Sequence, residues 1–305
     1  MNTFTFKIGA DPEVFLRDTS GRFVSGHDLI PGTKDMPFFV PDGAIQVDGV
    51  ALEFNIAPAT TSGEFVHNIR SVMHSLHCHY STTRPDCEFA IEPTAIFEKE
   101  YFDGLPEEPK LLGCTPDFNA YTGLENSPPH TDEPFRTGAG HIHIGWGSGY
   151  SISNPDHFDL CRDVVKQLDC ILYPASLLWD RDYKRRSLYG RLGAFRPKKY
   201  GVEYRPLSNA ILKAQFIQKF VFDATVHSVD LLMNGDVTFI KNSQCSTMVK
   251  YLYDGNVPDA EDIADYLFFM NEEFGTPNVI EYSVEDDGVE DFSVMEVDVF
   301  DQVKV

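Results

Sequence analysis

Four segments of the sequence each carry two polar side chains that are two residues apart, with a mostly apolar residue between them. The pairs are Asp11/Glu13, Glu53/Asn55, His141/His143 and Glu203/Arg205. Because successive side chains of a β-strand point to opposite faces, both members of a pair lie on the same face of a strand. This spacing predicts four strands with an apolar core face and a polar face rich in carboxylate and imidazole groups.

Electrostatics decides what such a face requires if the four strands are neighbours. Closely packed carboxylates repel one another unless a positive charge lies between them. A divalent cation meets that need, and oxygen ligands with one or two imidazoles favour Mg²⁺ or Mn²⁺ over zinc. Each pair also has an ordinary interpretation without a ligand, such as solvated acids at a strand end or a cross-strand ion pair between Glu203 and Arg205.

The rest of the sequence mixes helical and strand patterns without strict alternation. Strand periodicity covers 4–16, 44–57, 138–146 and 200–207. Helical periodicity begins after Thr61 and then covers 154–179, 209–233 and 259–274. The segments 28–41 and 103–137 are rich in turn-forming residues and predict loops. This mixture indicates an α+β class with an antiparallel sheet. We expect one domain over 1–280 and an acidic tail over 281–305.

A basic segment interrupts this acidic chain. Nine of the 25 lysine and arginine residues fall within 181–205, where Asp182 and Glu203 are the opposing acids. Gly190 and Gly193 lie among them and allow a backbone to approach a ligand closely. Arginines beside a divalent cation can neutralise the oxygens of a triphosphate. We therefore favour a phosphate-binding segment, and the alternative is an ordinary solvated basic loop.

Composition excludes some classes of function. The formal net charge is −22, and a surface that binds nucleic acid or anionic lipid through bulk charge must be cationic. No apolar run approaches the roughly 20 residues that cross a bilayer. The N-terminal residues lack the features of a secretory signal. The six cysteines form no CxxC pair, which favours reduced thiols in the cytoplasm over disulfides or a zinc site.

Taken in chain order, the motifs resemble the glutamine synthetase superfamily of carboxylate–amine ligases, most closely its phage-associated COOH·NH2 ligase branch. The matching segments are 9–15, 48–55, 138–143, 185–197 and 200–205. The resemblance implies a glutamine synthetase-like catalytic domain, with a curved antiparallel sheet and helices on its outer face. It departs from the family at Gly201, where glutamine synthetases carry an arginine, and in having no counterpart of their N-terminal β-grasp domain. A phage gene would place the protein in the host cytoplasm.

The resemblance also implies roles for individual residues. Ligands to Mg²⁺ (or Mn²⁺) would be Asp11, Glu13, Glu53, His141 and Glu203. Nucleotide-binding residues would be His143, Arg186, Arg191 and Arg196. Asn55 and Arg205 would bind substrate, and Glu203 and Arg205 would be catalytic.

The predicted function is an ATP-dependent ligase that joins a small-molecule or peptide carboxylate to an amine through an acyl phosphate. Replacing Glu203 with alanine is expected to abolish that step while leaving the protein folded. Three alternatives stay open: a guanidino-kinase-like phosphotransferase on the same fold, a cupin-type metal oxygenase, and a non-catalytic acidic interaction protein. The cupin interpretation is the weakest because no glutamate follows Gly-His-Ile-His at the expected distance. The identity of the two substrates and the oligomeric state are left open.

Overall fold

A computed structural model describes residues 6–110, 117–127, 134–235 and 239–285. Within these residues the strands are β1 (Lys7–Asp18), β2 (Phe23–Val24), β3 (Phe38–Val40), β4 (Gly43–Asp48), β5 (Ala51–Ile56), β6 (Cys87–Ala90), β7 (Thr94–Ile96), β8 (Phe118–Asn119), β9 (Phe135–Thr137), β10 (Gly140–Gly145), β11 (Ala194–Lys198) and β12 (Gly201–Tyr204).

The helices of the described residues alternate irregularly with these strands. They are α1 (Ser62–Ser81), α2 (Lys99–Asp103), α3 (Glu107–Lys110), α4 (Pro155–Asp169), α5 (Leu172–Ser176), α6 (Tyr183–Leu188), α7 (Gln215–Asn234), α8 (Ser243–Tyr253), α9 (Ala260–Phe274) and α10 (Val279–Glu285). Two short 3₁₀ helices cover Asn209–Lys213 and Phe239–Lys241. The predicted α+β class with a large antiparallel sheet is confirmed.

Ten strands form one sheet, and β7 pairs with β9 in a second, two-stranded sheet. The order across the large sheet is β3-β4-β5-β1-β10-β12-β11-β8, and β2 and β6 both pair with β1. The named strands pair antiparallel throughout. The twelve-residue β1 therefore lies between β5 and β10, and it brings the first polar pair next to the second and third.

The other face of this sheet forms the core. Ile8, Val14, Leu52, Ile142 and Val202 are completely buried there. Helices α1, α4 and α7 pack against one another or against the strands and supply the opposing apolar side chains. Burial of a large aliphatic side chain stabilises a fold by roughly 1.5–3 kcal/mol, so this layer fixes which face of each strand turns inward. The polar pairs are thereby directed to the opposite face.

Several elements differ from their predicted bounds. The strand predicted over 44–57 is a hairpin of β4 and β5, which turns at Gly49 with φ of 61°. The helix predicted over 154–179 is interrupted between α4 and α5. Helix α8 was not predicted at all. The predicted acidic tail begins inside α10, where the Tyr282 hydroxyl donates to Asp223 Oδ2 at 2.9 Å, and its residues from 286 onward lie outside the described ranges.

Two further predictions from the sequence concern membrane-spanning segments and the state of the cysteines. In the described residues, no helix has both the length and the apolar character that spanning a bilayer requires. The described cysteines are free thiols: Cys78 is exposed, and Cys87, Cys161, Cys170 and Cys245 are buried. The redox state of these thiols stays a prediction, and Cys114 lies outside the described ranges.

Candidate active site

Strand register brings the predicted polar pairs together on one face of the large sheet. Asp11 lies opposite His141 in the β1–β10 ladder, and Glu13 lies opposite Glu53 in the β1–β5 ladder. His143 in turn lies opposite Glu203 in the β10–β12 ladder. Directly opposed residues point to the same side of a sheet, so these side chains form a continuous polar face.

Asp11, His141 and Glu203 form a first cluster on this face, with one ligand-type atom of each within 4.8 Å of the others. His141 Nδ1 lies 3.3 Å from Asp11 Oδ1 and 3.4 Å from Glu203 Oε1. The other Asp11 oxygen, Oδ2, lies 3.0 Å from His143 Nε2. The carboxylates and the imidazole are thus close enough to share one cation.

The protonation of the first cluster follows from its surroundings. Burial lowers the pKa of His141 to about 4, and the nearby Arg205 acts in the same direction. Burial opposes ionisation of Asp11, but His143 and His141 outweigh it and hold the pKa of Asp11 well below its usual range. For Glu203, burial is likewise outweighed, here by Arg205 first, and its pKa is lowered. At neutral pH this leaves two carboxylates and a neutral imidazole, the form of histidine that binds metals.

Glu13, Asp48 and Glu53 form a second cluster, again with one oxygen of each within 4.8 Å of the others. Burial and the neighbouring Asp48 raise the pKa of Glu13 to about 7. Burial raises the pKa of Glu53 well above its usual range, with Asp11, Glu13 and Asp48 adding to the effect. Glu13 and Glu53 thus experience more negative charge than their environment stabilises, and each keeps its proton to a higher pH than an ordinary glutamate.

Two buried atoms support a cation on this face. Glu53 Oε2 and His141 Nε2 have no hydrogen-bond partner among the described residues, although the two residues are only 7% and 5% exposed. An unpartnered buried polar atom costs roughly 1–3 kcal/mol, so a folded protein rarely keeps one without a role. Carboxylate oxygens, joined by one imidazole in the first cluster, are a donor set that suits Mg²⁺ or Mn²⁺. The residues present therefore fit the divalent ions that the family resemblance implies.

Glu203 is the most heavily neutralised acid of the face. Arg196 Nη1 donates to both of its oxygens at 3.2 Å, and Lys198 Nζ lies 2.5 Å from Oε2. Arg205 Nη1 donates to Oε1 from the same strand. The Glu203 side chain is fully buried, whereas those of Arg196 and Lys198 are 22% and 28% exposed. These two basic groups are thus positioned between a buried acid and solvent.

Arg205 is held on all sides and is only 2% exposed. Its Nε donates to Asp117 Oδ2 at 3.0 Å, and its Nη2 donates to the Tyr189 hydroxyl at 2.6 Å. Since Glu203 takes Nη1, each nitrogen of the guanidinium has a protein partner. This geometry fixes the position of a positive charge beside the first cluster.

The two remaining predicted residues of the strands also lie on the polar face. His143 Nδ1 forms a short hydrogen bond with the Tyr200 hydroxyl. Burial opposes its protonation, but Asp11 outweighs this and raises the pKa of His143. Asn55 Nδ2 donates to Gln46 Oε1 at 3.3 Å, beyond the second cluster. His143 and Asn55 therefore lie at opposite sides of the two clusters.

The prediction for Arg186 needs correction. Its Nη2 donates to Ser176 Oγ at 3.0 Å and to the Asp180 carbonyl oxygen at 2.9 Å, and it lies 3.4 Å from Asp180 Oδ2. The guanidinium also stacks over the ring of Tyr173. Because Asp180 is itself buried, Arg186 neutralises an internal charge and is 5% exposed. A nucleotide phosphate would have to compete with that buried ion pair.

Two neighbours of Arg186 are likewise engaged within the protein. Arg185 is fully buried and donates to the carbonyl oxygens of Gly138, Pro206 and Leu207 at 3.2, 2.9 and 2.6 Å. It thereby joins the residues that precede β10 to those that follow β12. Arg191 donates its Nε to the Ser187 carbonyl oxygen at 2.9 Å, and the described contacts do not bring it onto the polar face. Of the three arginines predicted to bind nucleotide, the structure brings only Arg196 to the clusters.

At two glycines near the polar face, a side chain is excluded by close backbone packing and not by a ligand. A Cβ on Gly140 would lie 2.1 Å from the Ser208 carbonyl oxygen, and one on Gly201 would lie 2.0 Å from the Ile144 carbonyl oxygen. Gly201 also has φ of 156°. No arginine fits at position 201 without moving β10.

The sequence prediction missed several residues of the face. They are Lys34, Gln46, Asp48, Asp117, Tyr189, Lys198 and Tyr200. Gln46/Asp48 and Arg196/Lys198 obey the same two-residue spacing as the pairs that were identified, so the rule itself could have found them. Asp117 and Tyr189 reach the face from outside the strands and leave no such signal.

Comparison with protein-family models gives no match, and comparison with curated proteins identifies no relative of this chain.

Proposed function

We propose that this protein is an ATP-dependent carboxylate–amine ligase of the glutamine synthetase-like type, acting with Mg²⁺ or Mn²⁺. The observation that carries the proposal is the pair of adjacent clusters, Asp11/His141/Glu203 and Glu13/Asp48/Glu53, on one sheet face. Arg196 and Lys198 border the first cluster, so anionic, cationic and partly exposed groups occur together. Phosphoryl transfer depends on this combination because its charge is spread over phosphate oxygens.

The two clusters would hold the divalent cations, which would supply positive charge to reduce the negative charge of the ATP phosphates. Glu203 would exchange its basic partners for that cation, and Arg196 and Lys198 would then turn to the triphosphate. Arg205, fixed by Asp117 and Tyr189, would keep a positive charge beside the γ-phosphoryl group throughout.

The chemistry would occur in two transfers. A substrate carboxylate oxygen attacks the γ-phosphorus, the bond to the bridging oxygen of ADP breaks, and an acyl phosphate forms. The amine nitrogen then attacks the acyl carbon, phosphate leaves, and the amine loses a proton to give the amide. The residues of the polar face would stabilise charge in both transfers, and none of them becomes covalently attached.

The test is to incubate the protein with Mg-ATP and with pools of carboxylic acids and amines. Release of phosphate is followed, and mass spectrometry identifies a conjugate that has lost water relative to its two components. Asp11→Asn and His141→Asn should each reduce phosphate release on the order of 100-fold. The matched control is His67→Asn, since the His67 side chain on α1 is 71% exposed; it should retain wild-type turnover.

Two results would contradict the ligase. ADP together with a phosphorylated amine or guanidine, and no free phosphate, would identify a phosphotransferase. Phosphate release that is equal in the wild type, Asp11→Asn and His141→Asn would exclude this face as the site of reaction.

A further inference from the structure

The second cluster already has a positive charge supplied by the protein. Lys34 Nζ lies 2.9 Å from Asp48 Oδ2, and the Lys34 side chain is 51% exposed. Burial lowers the pKa of Lys34. Asp48, followed by Glu53 and Glu13, outweighs this effect and raises the pKa. Lys34 therefore faces all three acids of this cluster, although it contacts Asp48.

The backbone places Lys34 at this position. The turn that carries it is closed by hydrogen bonds in both directions between Thr33 and Met36, at 3.1 and 3.0 Å. This turn is joined to β4 because Val47 N donates to the Gly32 carbonyl oxygen at 3.3 Å. Gly32 has φ of 94°, and a Cβ there would lie 2.4 Å from the Ile45 carbonyl oxygen. The loop is thus seated on β4, one residue from Asp48.

The two clusters are neutralised in different ways. In the first, Arg196, Lys198 and Arg205 all contact Glu203 and leave His141 Nε2 without a partner. In the second, Lys34 contacts Asp48, while Glu53 Oε2 is buried without a partner. A divalent cation at Glu13 and Glu53 would have to share Asp48 with Lys34, whose Nζ contacts Oδ2.

We infer that Lys34 is a resident cation of the Glu13/Asp48/Glu53 cluster that competes with a divalent ion for this subsite. The inference rests on the proposed function only in taking both clusters as cation sites. Lys34 opposes the divalent ion both by occupying Asp48 and by direct repulsion. An exposed charge at this distance changes a binding constant by roughly five- to tenfold. Lys34 is therefore a determinant of how much metal the protein needs.

The experiment is a titration with Mn²⁺ alone, in which electron paramagnetic resonance measures the free ion. The wild type should show two classes of site. Lys34→Met should strengthen one of the two classes by roughly five- to tenfold and leave the other unchanged. Lys34→Arg keeps the charge and should bind like the wild type. The matched control is Lys250→Met on α8, which removes an exposed ion pair with Asp254 (2.6 Å) and should change neither class.

The outcomes separate the two proposals. If the wild type binds two classes of Mn²⁺ and Lys34→Met leaves both within about twofold, the role of Lys34 is wrong while the cation sites stand. If neither protein binds Mn²⁺ and circular dichroism shows both folded, the cation sites fail and the role of Lys34 fails with them. A Lys34→Met protein that binds the second ion more weakly than the wild type would also overturn the inference, since it would make Lys34 a support of that subsite.

Discussion

Glu13 and Glu53 lie directly opposite each other on β1 and β5, so two carboxylates occupy one cross-strand position. Like charges in this arrangement destabilise a sheet by roughly 0.2–1 kcal/mol at an ordinary exposed site. Here Glu53 is buried and Glu13 is half-buried, and the pKa of each is raised. The pairing therefore reduces stability in the absence of a cation.

The first prediction concerns this pair. Glu13→Gln keeps an oxygen that can accept from Ala139 N, as Glu13 Oε2 does at 3.0 Å, but removes the repulsion. Without metal, the variant should unfold with a free energy about 1 kcal/mol higher than the wild type. With Mg²⁺ or Mn²⁺ the wild type should become the more stable protein, because binding of the ion stabilises its folded state more than that of the variant. Thermal unfolding with and without the ion measures both effects. Glu272→Gln, at an exposed position of α9, is the control; a Glu13→Gln protein as metal-responsive as the wild type would contradict the prediction.

A second prediction revises what removal of Glu203 does. Glu203→Ala leaves Arg196, Lys198 and Arg205 together without their shared acid. Loss of one partner from a buried charge network costs roughly 3–5 kcal/mol, so this variant should be strongly destabilised as well as inactive. Urea unfolding measures the change. In the double variant with Lys198→Met, part of the loss should be recovered because one uncompensated charge is gone.

The expectation from sequence was that Glu203→Ala leaves the protein folded, and a large loss of stability would qualify it. A loss below about 1 kcal/mol would contradict the second prediction and indicate that solvent already neutralises the three basic groups.

The third prediction separates two arginines of the basic segment. Arg196→Met should weaken binding of a non-hydrolysable ATP analogue about tenfold and change stability little, since the Arg196 side chain is 22% exposed. Arg186→Met should leave Asp180 buried without its partner and lower the free energy of unfolding by roughly 3–5 kcal/mol. Calorimetry of nucleotide binding and urea unfolding give the two readouts. A loss of nucleotide affinity confined to Arg186→Met would reinstate the role that the sequence assigned to it.

The fourth prediction concerns pH and a buried acid outside the polar face. Burial raises the pKa of Asp169 to about 7, against the hydroxyl groups of Tyr204 and Tyr121, which donate to it at 2.8 and 3.0 Å. The folded pKa lies above the unfolded one, so the folded state keeps this proton longer. The contribution of Asp169 to the free energy of unfolding is therefore highest below about pH 4 and is lost as the pH rises through about 7.

Asp169→Asn removes that proton equilibrium. The free energy of unfolding of the variant minus that of the wild type should therefore rise by about 2 kcal/mol between pH 5 and pH 8, because each pKa unit corresponds to roughly 1.4 kcal/mol. Urea unfolding at both pH values measures the difference. Asp265→Asn, at an exposed position of α9, should show the same pH dependence as the wild type. An unchanged pH dependence in Asp169→Asn would mean that Asp169 stays ionised in its core position.

The sequence predicted the polar face because β-strand geometry is local. The spacing of Asp11 and Glu13, or of His141 and His143, fixes which side chains share a face without any knowledge of neighbours. The sequence did not show that β1 pairs with β5 on one side and β10 on the other, since strand order depends on long-range packing. The hairpin turn at Gly49 was missed although the sequence carries a sign of it: Ile45 and Val47 face the core from odd positions before the turn, whereas Leu52 and Phe54 do so from even positions after it.

The basic segment shows where charge patterning fails. A cluster of arginines in sequence does not indicate where each side chain points. Arg185 and Arg186 are drawn inward by carbonyl oxygens and by Asp180, while Arg196 lies on a strand and shares the face of Glu203. Asp117 contacts Arg205 from 88 positions away in the chain. No local rule identifies a partner at that distance.

The central place of β1 has a consequence for the order of events during synthesis. Asp11 and Glu13 emerge from the ribosome early, but Glu203 joins them only through β12, which pairs with β10 much later in the chain. Until that strand docks, the first cluster lacks one of its three ligand groups. Contacts between distant segments form slowly because a long loop must close first. Metal capture by the first cluster would therefore report the completion of the sheet, and a nascent chain that ends before β12 should bind metal poorly at that cluster, although it already contains Glu13, Asp48 and Glu53.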